Sequence, residues 1–256
     1  MNTPEPSKKA IHQAVRSAYG EVARKAGVTR HAACCDAHVI PPSDYSAKEL
    51  ASVPKGAYLG EGSGTPVRYA GLRPGEAVVD LGAGAGMDSF LAANRVGPTG
   101  CVYGFDLTPE MVARAQRNAA HGNYTNVSFE RADIEQLPLA AGMADAAISN
   151  CVINLAPNKA KVFAEIFRVL RPGGRLSLSD IVLRGQQEAI RVFREQAGPD
   201  TWCACISGAL RDEDYLAAIR AAGFANVRVV AERPAQLQPG AGVAAVAVTI
   251  TARKLA

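Results

Sequence analysis

Hydrophobic positions along this chain follow two alternating spacings, and the alternation predicts strands separated by helices. Five short apolar runs have the composition of buried strands, at residues 77–81, 101–105, 127–130, 144–149 and 175–183. Between several of them apolar residues recur every three or four positions, which predicts helices at residues 87–96, 109–121 and 158–170. Because strands that alternate with helices form parallel sheets, the chain is expected to have an α/β fold.

The two ends of the chain depart from this simple alternation. Helical spacing predicts two helices before the first strand, at residues 10–26 and 46–53. After the fifth strand we expect two helices and then two strands, at residues 186–196, 213–222, 227–232 and 243–252. The last two strands would bring the sheet to seven.

Composition limits the class of protein, the partners and the compartment that are expected for this 256-residue chain. Its 48% hydrophobic and 20% charged residues are those of an ordinary globular protein, and a net charge of +4 does not indicate a nucleic-acid partner. The longest apolar run, residues 242–250, is far shorter than the roughly 20 residues of a membrane helix, so no membrane partner is expected. The first residues lack a signal-peptide core, and we expect a cytoplasmic protein in which six cysteines serve as ligands, catalysts or buried side chains.

A glycine-rich loop follows the first strand, in the sequence Asp80-Leu-Gly82-Ala-Gly84-Ala-Gly86. Met87 stands where the dinucleotide-binding pattern G-x-G-x-x-G requires its third glycine. Asp80 would repel a pyrophosphate but can pair with a cation, and S-adenosylmethionine carries an ammonium and a sulfonium. The loop resembles the first motif of class I S-adenosylmethionine-dependent methyltransferases, which predicts S-adenosylmethionine as the cofactor.

Further cofactor contacts are expected where the next strands end. Asp106 ends the second strand and is placed to accept hydrogen bonds from both ribose hydroxyls. Asp133 resembles the methyltransferase acid that contacts the adenine amine, with Ile134 beside the ring, although a helix N-cap is an equal alternative for Asp133. Other candidates are Leu107 and Met111, as walls of the adenine or as core residues, and Asn150 at the end of the fourth strand.

Cysteines occur in three separate segments that could meet at one soft atom. Cys151 follows the fourth strand, and Cys205 lies in the segment that is expected to hang over the same edge of the sheet. Cys34 and Cys35 come from the N-terminal part, which can cover the site from the other side. Thiolates are the preferred ligands of soft ions. Cys101 begins a strand and is interpreted as a buried filler.

The chain resembles the bacterial arsenite S-adenosylmethionine methyltransferases from about Val15 onward. The resemblance is carried by Ser149-Asn-Cys-Val-Ile-Asn-Leu, Cys205-Ile-Ser-Gly-Ala-Leu, the pair Cys34-Cys35, Tyr45-Ser-Ala-Lys-Glu-Leu and Asp106-Leu-Thr-Pro-Glu-Met. It implies a Rossmann-like class I fold with a seven-stranded, mostly parallel sheet. It also implies that Cys151 and Cys205 hold trivalent arsenic during methyl transfer, that a third cysteine assists the first methylation, and that a thiol reductant such as thioredoxin or glutathione is a partner.

One departure from the family concerns the third thiol. Family members usually carry Gly-x-Gly-Cys-Gly-x-Pro before the core, and this chain has Gly60-Glu-Gly-Ser-Gly-Thr-Pro, which puts Ser63 at the cysteine position. A hydroxyl is a poor ligand for a soft metalloid. The third thiol is therefore expected from Cys34 or Cys35, with Cys35 as the choice, or it is absent, which leaves arsenite and methylarsenite both open as substrates.

These expectations divide the chain into four parts. Residues 1–70 would cover the active site, 71–183 would bind the cofactor, 184–212 would form a substrate-binding insertion, and 213–256 would complete the sheet. Two alternative functions are a C-methyltransferase for a small apolar, quinone- or sterol-like substrate and a thiol-rich metalloid-binding protein without catalysis. The intact glycine loop and Asp106 argue against the second alternative.

Overall fold

A seven-stranded sheet organises the part of the chain that the computed structural model describes, which is residues 7–25, 44–196, 205, 208–235 and 242–256. Its strands are β1 (Ala77–Leu81), β2 (Cys101–Asp106), β3 (Val127–Arg131), β4 (Ala144–Asn150), β5 (Leu170–Gly185), β6 (Ala225–Ala235) and β7 (Val243–Arg253). They lie in the order β3-β2-β1-β4-β5-β7-β6. The first five strands are parallel, and β7 runs antiparallel to both β5 and β6, which confirms the predicted sheet.

Helices cover the sheet and precede it. They are α1 (Lys8–Lys25), α2 (Ala47–Ala51), α3 (Pro66–Tyr69), α4 (Met87–Val96), α5 (Pro109–His121), α6 (Lys159–Val169), α7 (Gln187–Gln196) and α8 (Asp212–Ala221). The helix bounds predicted from the sequence hold to within two residues, because several ends carry local signals. The side chain of Ser46 forms a capping box with Glu49, and Pro109 begins α5.

The fifth strand begins earlier than its sequence predicts. Leu170 already pairs with Ala144, and the chain returns to the same partner strand where Arg175 pairs with Ala146. The residues between them bulge from the ladder, and Gly173 takes a φ of 77° there. The residues between the predicted helix and the predicted strand are thus enclosed within β5 and do not precede it.

Buried side chains on both faces of the sheet fix the position of the strand ends. Val79 and Leu81 of β1, Ile148 of β4 and Leu178 of β5 are all fully buried. Because β1, β2 and β4 are parallel neighbours, their carboxyl ends lie side by side at one edge of the sheet. Ligands of open α/β sheets bind at that edge.

Candidate functional site

The glycine loop after β1 has a backbone that requires glycine. Gly82, Gly84 and Gly86 take positive φ angles of 70°, 55° and 98°. A Cβ on Gly82 would lie 2.1 Å from Val152, whereas a Cβ on Gly84 would meet no atom within 4 Å. The loop is therefore packed on one side and open on the other. A ligand can approach the open side closely.

A cavity lies against this loop. It is lined by nearly all of the residues that the sequence placed at the site, namely Asp80, Gly82, Gly84, Asp106, Leu107, Met111, Asp133, Ile134, Asn150, Cys151 and Cys205. Gly86 instead faces the core, where a Cβ would lie 2.6 Å from the ring of Phe90. Helix α1 closes one wall of the cavity with His12, Val15 and Tyr19. His12 is a contribution that sequence reasoning missed.

Asp106 ends β2 and faces the cavity with free acceptor capacity. Its Oδ2 accepts a hydrogen bond from the backbone N–H of Gly84 at 3.0 Å, and its Oδ1 accepts one from Thr108 at 2.8 Å. The Thr108 side chain also hydrogen-bonds the carboxylate, whose two oxygens can together accept about four donors, so capacity for a ribose hydroxyl remains. The side chain of Thr108 itself makes no capping hydrogen bond, so Pro109 supplies the start signal of α5.

Two further buried carboxylates, Asp80 and Asp88, line the cavity. Burial and the neighbouring Asp88 raise the pKa of Asp80 to about 8, although Ser89 Oγ donates a hydrogen bond to it at 2.5 Å. Burial also raises the pKa of Asp88 to about 6, against hydrogen bonds from Tyr45 and Asn150. Negative charges in a low-dielectric cavity favour a cationic ligand. Sequence reasoning missed Asp88, although its position in the first turn after a ligand-binding loop was a usable signal.

The side-chain amide of Asn150 is used inside the protein. Its Nδ2, which carries two hydrogens, lies within 3.0 Å of three acceptors, namely Tyr45 OH, the carbonyl of Gly64 and Asp88, and its Oδ1 accepts from the backbone N–H of Ser63 at 3.0 Å. Asn150 therefore ties the loop before the core to the end of β4. The Oγ of Ser63 is buried and has no hydrogen-bond partner among the described residues.

Asp133 forms a turn after β3 and holds the N-terminus of α1. Its Oδ1 accepts the backbone N–H of Glu135 at 2.9 Å, and its Oδ2 lies 2.9 Å from Lys8 Nζ. Burial opposes ionisation of Asp133, but Lys8 and the Glu135 N–H outweigh it, and the pKa of Asp133 is lowered. The N-cap alternative for Asp133 is wrong, because the fully described segment between β3 and β4 contains no helix.

The thiols of Cys151 and Cys205 come together at the far side of the cavity. Cys205 Sγ donates to the backbone carbonyl of Cys151 at 3.1 Å, and the two sulfurs and a carboxylate oxygen of Asp180 all lie within 4.8 Å of one another. Both cysteines have a φ of 59°, a left-handed conformation that costs roughly 1–2 kcal/mol for such residues. Strained backbone of this kind is concentrated at functional sites.

Asp180 braces the walls around this pair of thiols. It is buried and accepts hydrogen bonds from the backbone N–H and the Nδ2 of Asn154, from the backbone N–H of Ile181 and from Tyr215 OH. Four donors fill the acceptor sites of one carboxylate, so Asp180 orients its neighbours and is not itself free to bind a soft atom. No motif in the sequence pointed to Asp180.

One further cysteine is described, Cys101, and it does not line the cavity. Cys101 begins β2, at the opposite end of the strand from Asp106. Its side chain is partly exposed, so the prediction that Cys101 is buried is wrong. Cys34 and Cys35 lie outside the described residues. In the described part of the chain no helix has the length and hydrophobicity needed to cross a membrane.

Fold and site together define a class I methyltransferase, and the model of a methyltransferase domain matches residues 72–223. An arsenite methyltransferase of Halobacterium salinarum is 46% identical over 185 residues, which are 72% of this chain and 46% of that protein. One from Aquipseudomonas alcaligenes is 34% identical over 90% of this chain and 67% of its own length. The chain belongs to the arsenite methyltransferase family.

A solved structure agrees with this assignment. An arsenic(III) S-adenosylmethionine methyltransferase from Chlamydomonas reinhardtii superposes with a TM-score of 0.66 at 28% identity, over 99% of this chain and 75% of that one. The chain spans about half the length of the Halobacterium relative and two thirds of the Aquipseudomonas relative.

Proposed function

We propose that this chain transfers the methyl group of S-adenosylmethionine to trivalent arsenic that is held by Cys151 and Cys205. The observation that carries the proposal is the buried pair of thiols, which two strained backbone positions place at the wall of the same cavity that the glycine loop opens. The names of the relatives support the same substrate.

The cofactor fits the other half of the cavity. Asp106 would accept the ribose hydroxyls, Leu107, Met111 and Ile134 would wall the adenine, and Asp133 would meet its amine at the edge. The open space beside Gly84 is the place for close backbone approach. When bound, S-adenosylmethionine supplies a methyl group that its positive sulfur activates for transfer.

The residues of the chain act by binding and positioning. Thiolates of Cys151 and Cys205 hold the arsenic, whose lone pair needs no general base because arsenic carries no proton to remove. Holding two reactants in a dry, fixed geometry is itself a large catalytic effect. Cys35 or Cys34 would supply a third thiolate for arsenite. Donation of the lone pair to the methyl group, with S-adenosylhomocysteine as the leaving group, would raise arsenic from As(III) to As(V), and two thiolates could return the two electrons by forming a disulfide. A thiol reductant such as thioredoxin or glutathione would then reduce that disulfide to thiols.

Substitution of single cysteines tests the ligand pair. We expect Cys151→Ser and Cys205→Ser each to abolish methylation of every arsenic species, because two thiolates are the least that can hold the atom. Cys101→Ser, at the other end of β2, is the matched control and should retain nearly full activity. The measurement is incubation with labelled S-adenosylmethionine and arsenite or methylarsenite, followed by arsenic speciation. Equal loss in all three variants would indicate destabilisation and contradict the assignment.

The double variant Cys34→Ser/Cys35→Ser tests the third thiol. Arsenite exchanges three oxygens for thiolates and methylarsenite only two, so we expect the double variant to lose activity on arsenite and to keep it on methylarsenite. Initial rates on both substrates decide the question. If the double variant and the parent have equal rates on arsenite, neither cysteine is the third ligand.

A further inference from the structure

Asp88 is a buried carboxylate of the cofactor cavity that no sequence motif singled out. It lies in the first turn of α4, directly after the glycine loop, and it is 7% exposed. Burial of a carboxylate is costly unless a partner stabilises the charge. The contacts of Asp88 therefore indicate what kind of partner is missing.

The hydrogen bonds of Asp88 all fall on one of its two oxygens. Tyr45 OH donates to Oδ2 at 2.7 Å, and Asn150 Nδ2 donates to the same atom at 2.9 Å. Oδ1 is buried and has no hydrogen-bond partner among the described residues. All three side chains border the cavity. An ionised carboxylate with one empty oxygen beside a ligand cavity is suited to bind a cationic donor.

Asp80 is the other buried carboxylate of the cavity that could bind such a cationic group. The two acids interact unfavourably as like charges, so only one of them is easily ionised in the cavity without a ligand. Tyr45 and Asn150 donate hydrogen bonds to Asp88, and the side chain and backbone of Ser89 donate to Asp80, but Asp80 also faces the negative charges of both Asp88 and Asp106, which oppose its ionisation. The pKa is about 6 for Asp88 and about 8 for Asp80, which places the charge on Asp88 at neutral pH.

We propose that Asp88, held by Tyr45 and Asn150, carries the negative charge that binds the α-ammonium group of the cofactor's methionine portion. The inference rests on the proposed function, because it takes S-adenosylmethionine as the cofactor. It moves the cation-binding role from Asp80, where the sequence placed it, to a residue eight positions later. Asp80 then supports the loop, and Asp88 recognises the ligand.

Binding calorimetry with three ligands tests the proposal on the full chain. S-adenosylmethionine and S-adenosylhomocysteine both carry the ammonium group, and 5′-methylthioadenosine keeps the nucleoside but lacks it. Asp88→Asn retains the shape and the acceptor for Tyr45 and Asn150 but removes the charge. We expect it to bind the first two ligands about tenfold or more weakly and methylthioadenosine unchanged, since a hydrogen bond to a charged group is lost.

Two further variants complete the test. Asp80→Asn should weaken binding of S-adenosylmethionine less than Asp88→Asn does. Tyr45→Phe keeps the charge of Asp88 but removes one hydrogen bond that holds the carboxylate. It should weaken binding of only the two ligands that carry the ammonium group, by a smaller factor than Asp88→Asn does. This variant decides the question if Asp88→Asn does not fold.

The possible failures can be told apart. Asp88→Asn with undiminished affinity for S-adenosylmethionine, or with an equal loss for methylthioadenosine, would overturn the role of Asp88. A folded parent protein that binds none of the three ligands would overturn the proposed function itself.

Discussion

Asp106 shows how one side chain can both build the site and serve it. Its two oxygens accept the backbone N–H groups of Gly84 and Thr108, which joins the glycine loop to the start of α5. The same side chain borders the cavity and keeps acceptor capacity for a ribose hydroxyl. The ribose role predicted from the sequence is compatible with this geometry, and it leads to a quantitative prediction.

We expect Asp106→Ala to weaken binding of S-adenosylmethionine by about 1.5–3 kcal/mol, because hydrogen bonds to a charged acceptor are lost. Calorimetry on the parent and the variant measures the difference. Circular dichroism should show that the variant keeps its fold. A folded variant with the parent's affinity would exclude Asp106 as the ribose residue.

At the scale of elements, α1 forms one wall of the cavity, although it lies far from the core motifs in the sequence. Ile11 and Val15 of this helix are buried, and Val15 also lines the cavity. Lys8, in its first turn, reaches Asp133 at 2.9 Å and Glu135 at 2.5 Å. These ion pairs fix the N-terminal end of α1 beside the expected adenine site. Movement of α1 would therefore open the cavity.

We expect Lys8→Ala to change the free energy of unfolding by less than about 1 kcal/mol, since Lys8 is half exposed and such ion pairs are weak. The cofactor should nevertheless dissociate faster, because the end of α1 is released. Stopped-flow measurement of the dissociation rate tests this. Lys9→Ala, which removes an exposed neighbouring lysine, is the control. Equal dissociation rates for the two variants would mean that α1 does not gate the cavity.

For the whole molecule, the cavity concentrates acids whose charge opposes folding. The pKa is raised to about 8 for Asp80, to about 6 for Asp88 and to about 7 for Glu61, in each case chiefly by burial. The pKa of Asp106 is raised by burial as well. At pH values between the ordinary pKa of these acids and their raised pKa, the folded protein without ligand therefore binds more protons than the unfolded chain. Its stability falls as the pH rises through that range.

We expect the free energy of unfolding of the ligand-free protein to decrease by about 2 kcal/mol or more between pH 5 and pH 8. Below about pH 4.5 stability should fall again, because Arg68 lowers the pKa of Glu49 to about 2 and this acid becomes protonated on unfolding. A bound cation should offset the loss at high pH, so cofactor should stabilise the protein more at pH 8 than at pH 5. Urea unfolding at both pH values, with and without cofactor, measures these differences. A flat profile without ligand would contradict the prediction.

Local sequence signals account for most of the fold. The strand at Ala77–Leu81, the glycine loop and the helix at Met87–Val96 follow from apolar spacing and from glycines whose positive φ angles admit few other residues. The bulge after Leu170 was not predictable, since it depends on pairing with Ala144 on another strand. Hydrophobic patterns specify an element but not the register of its partner.

The sequence by itself determined which segments of the chain form the strands and the main helices. It also identified the glycine loop, Asp106 and the two candidate ligand cysteines, Cys151 and Cys205. Only the tertiary structure decided that Cys205 lies on Cys151, 54 residues away in sequence, and that Asn150 holds Tyr45, 105 residues away. The physical reason is that helix and strand signals act between near neighbours in the chain. Contacts between distant segments, and the charges they bury together, arise only when the sheet brings those segments to one edge.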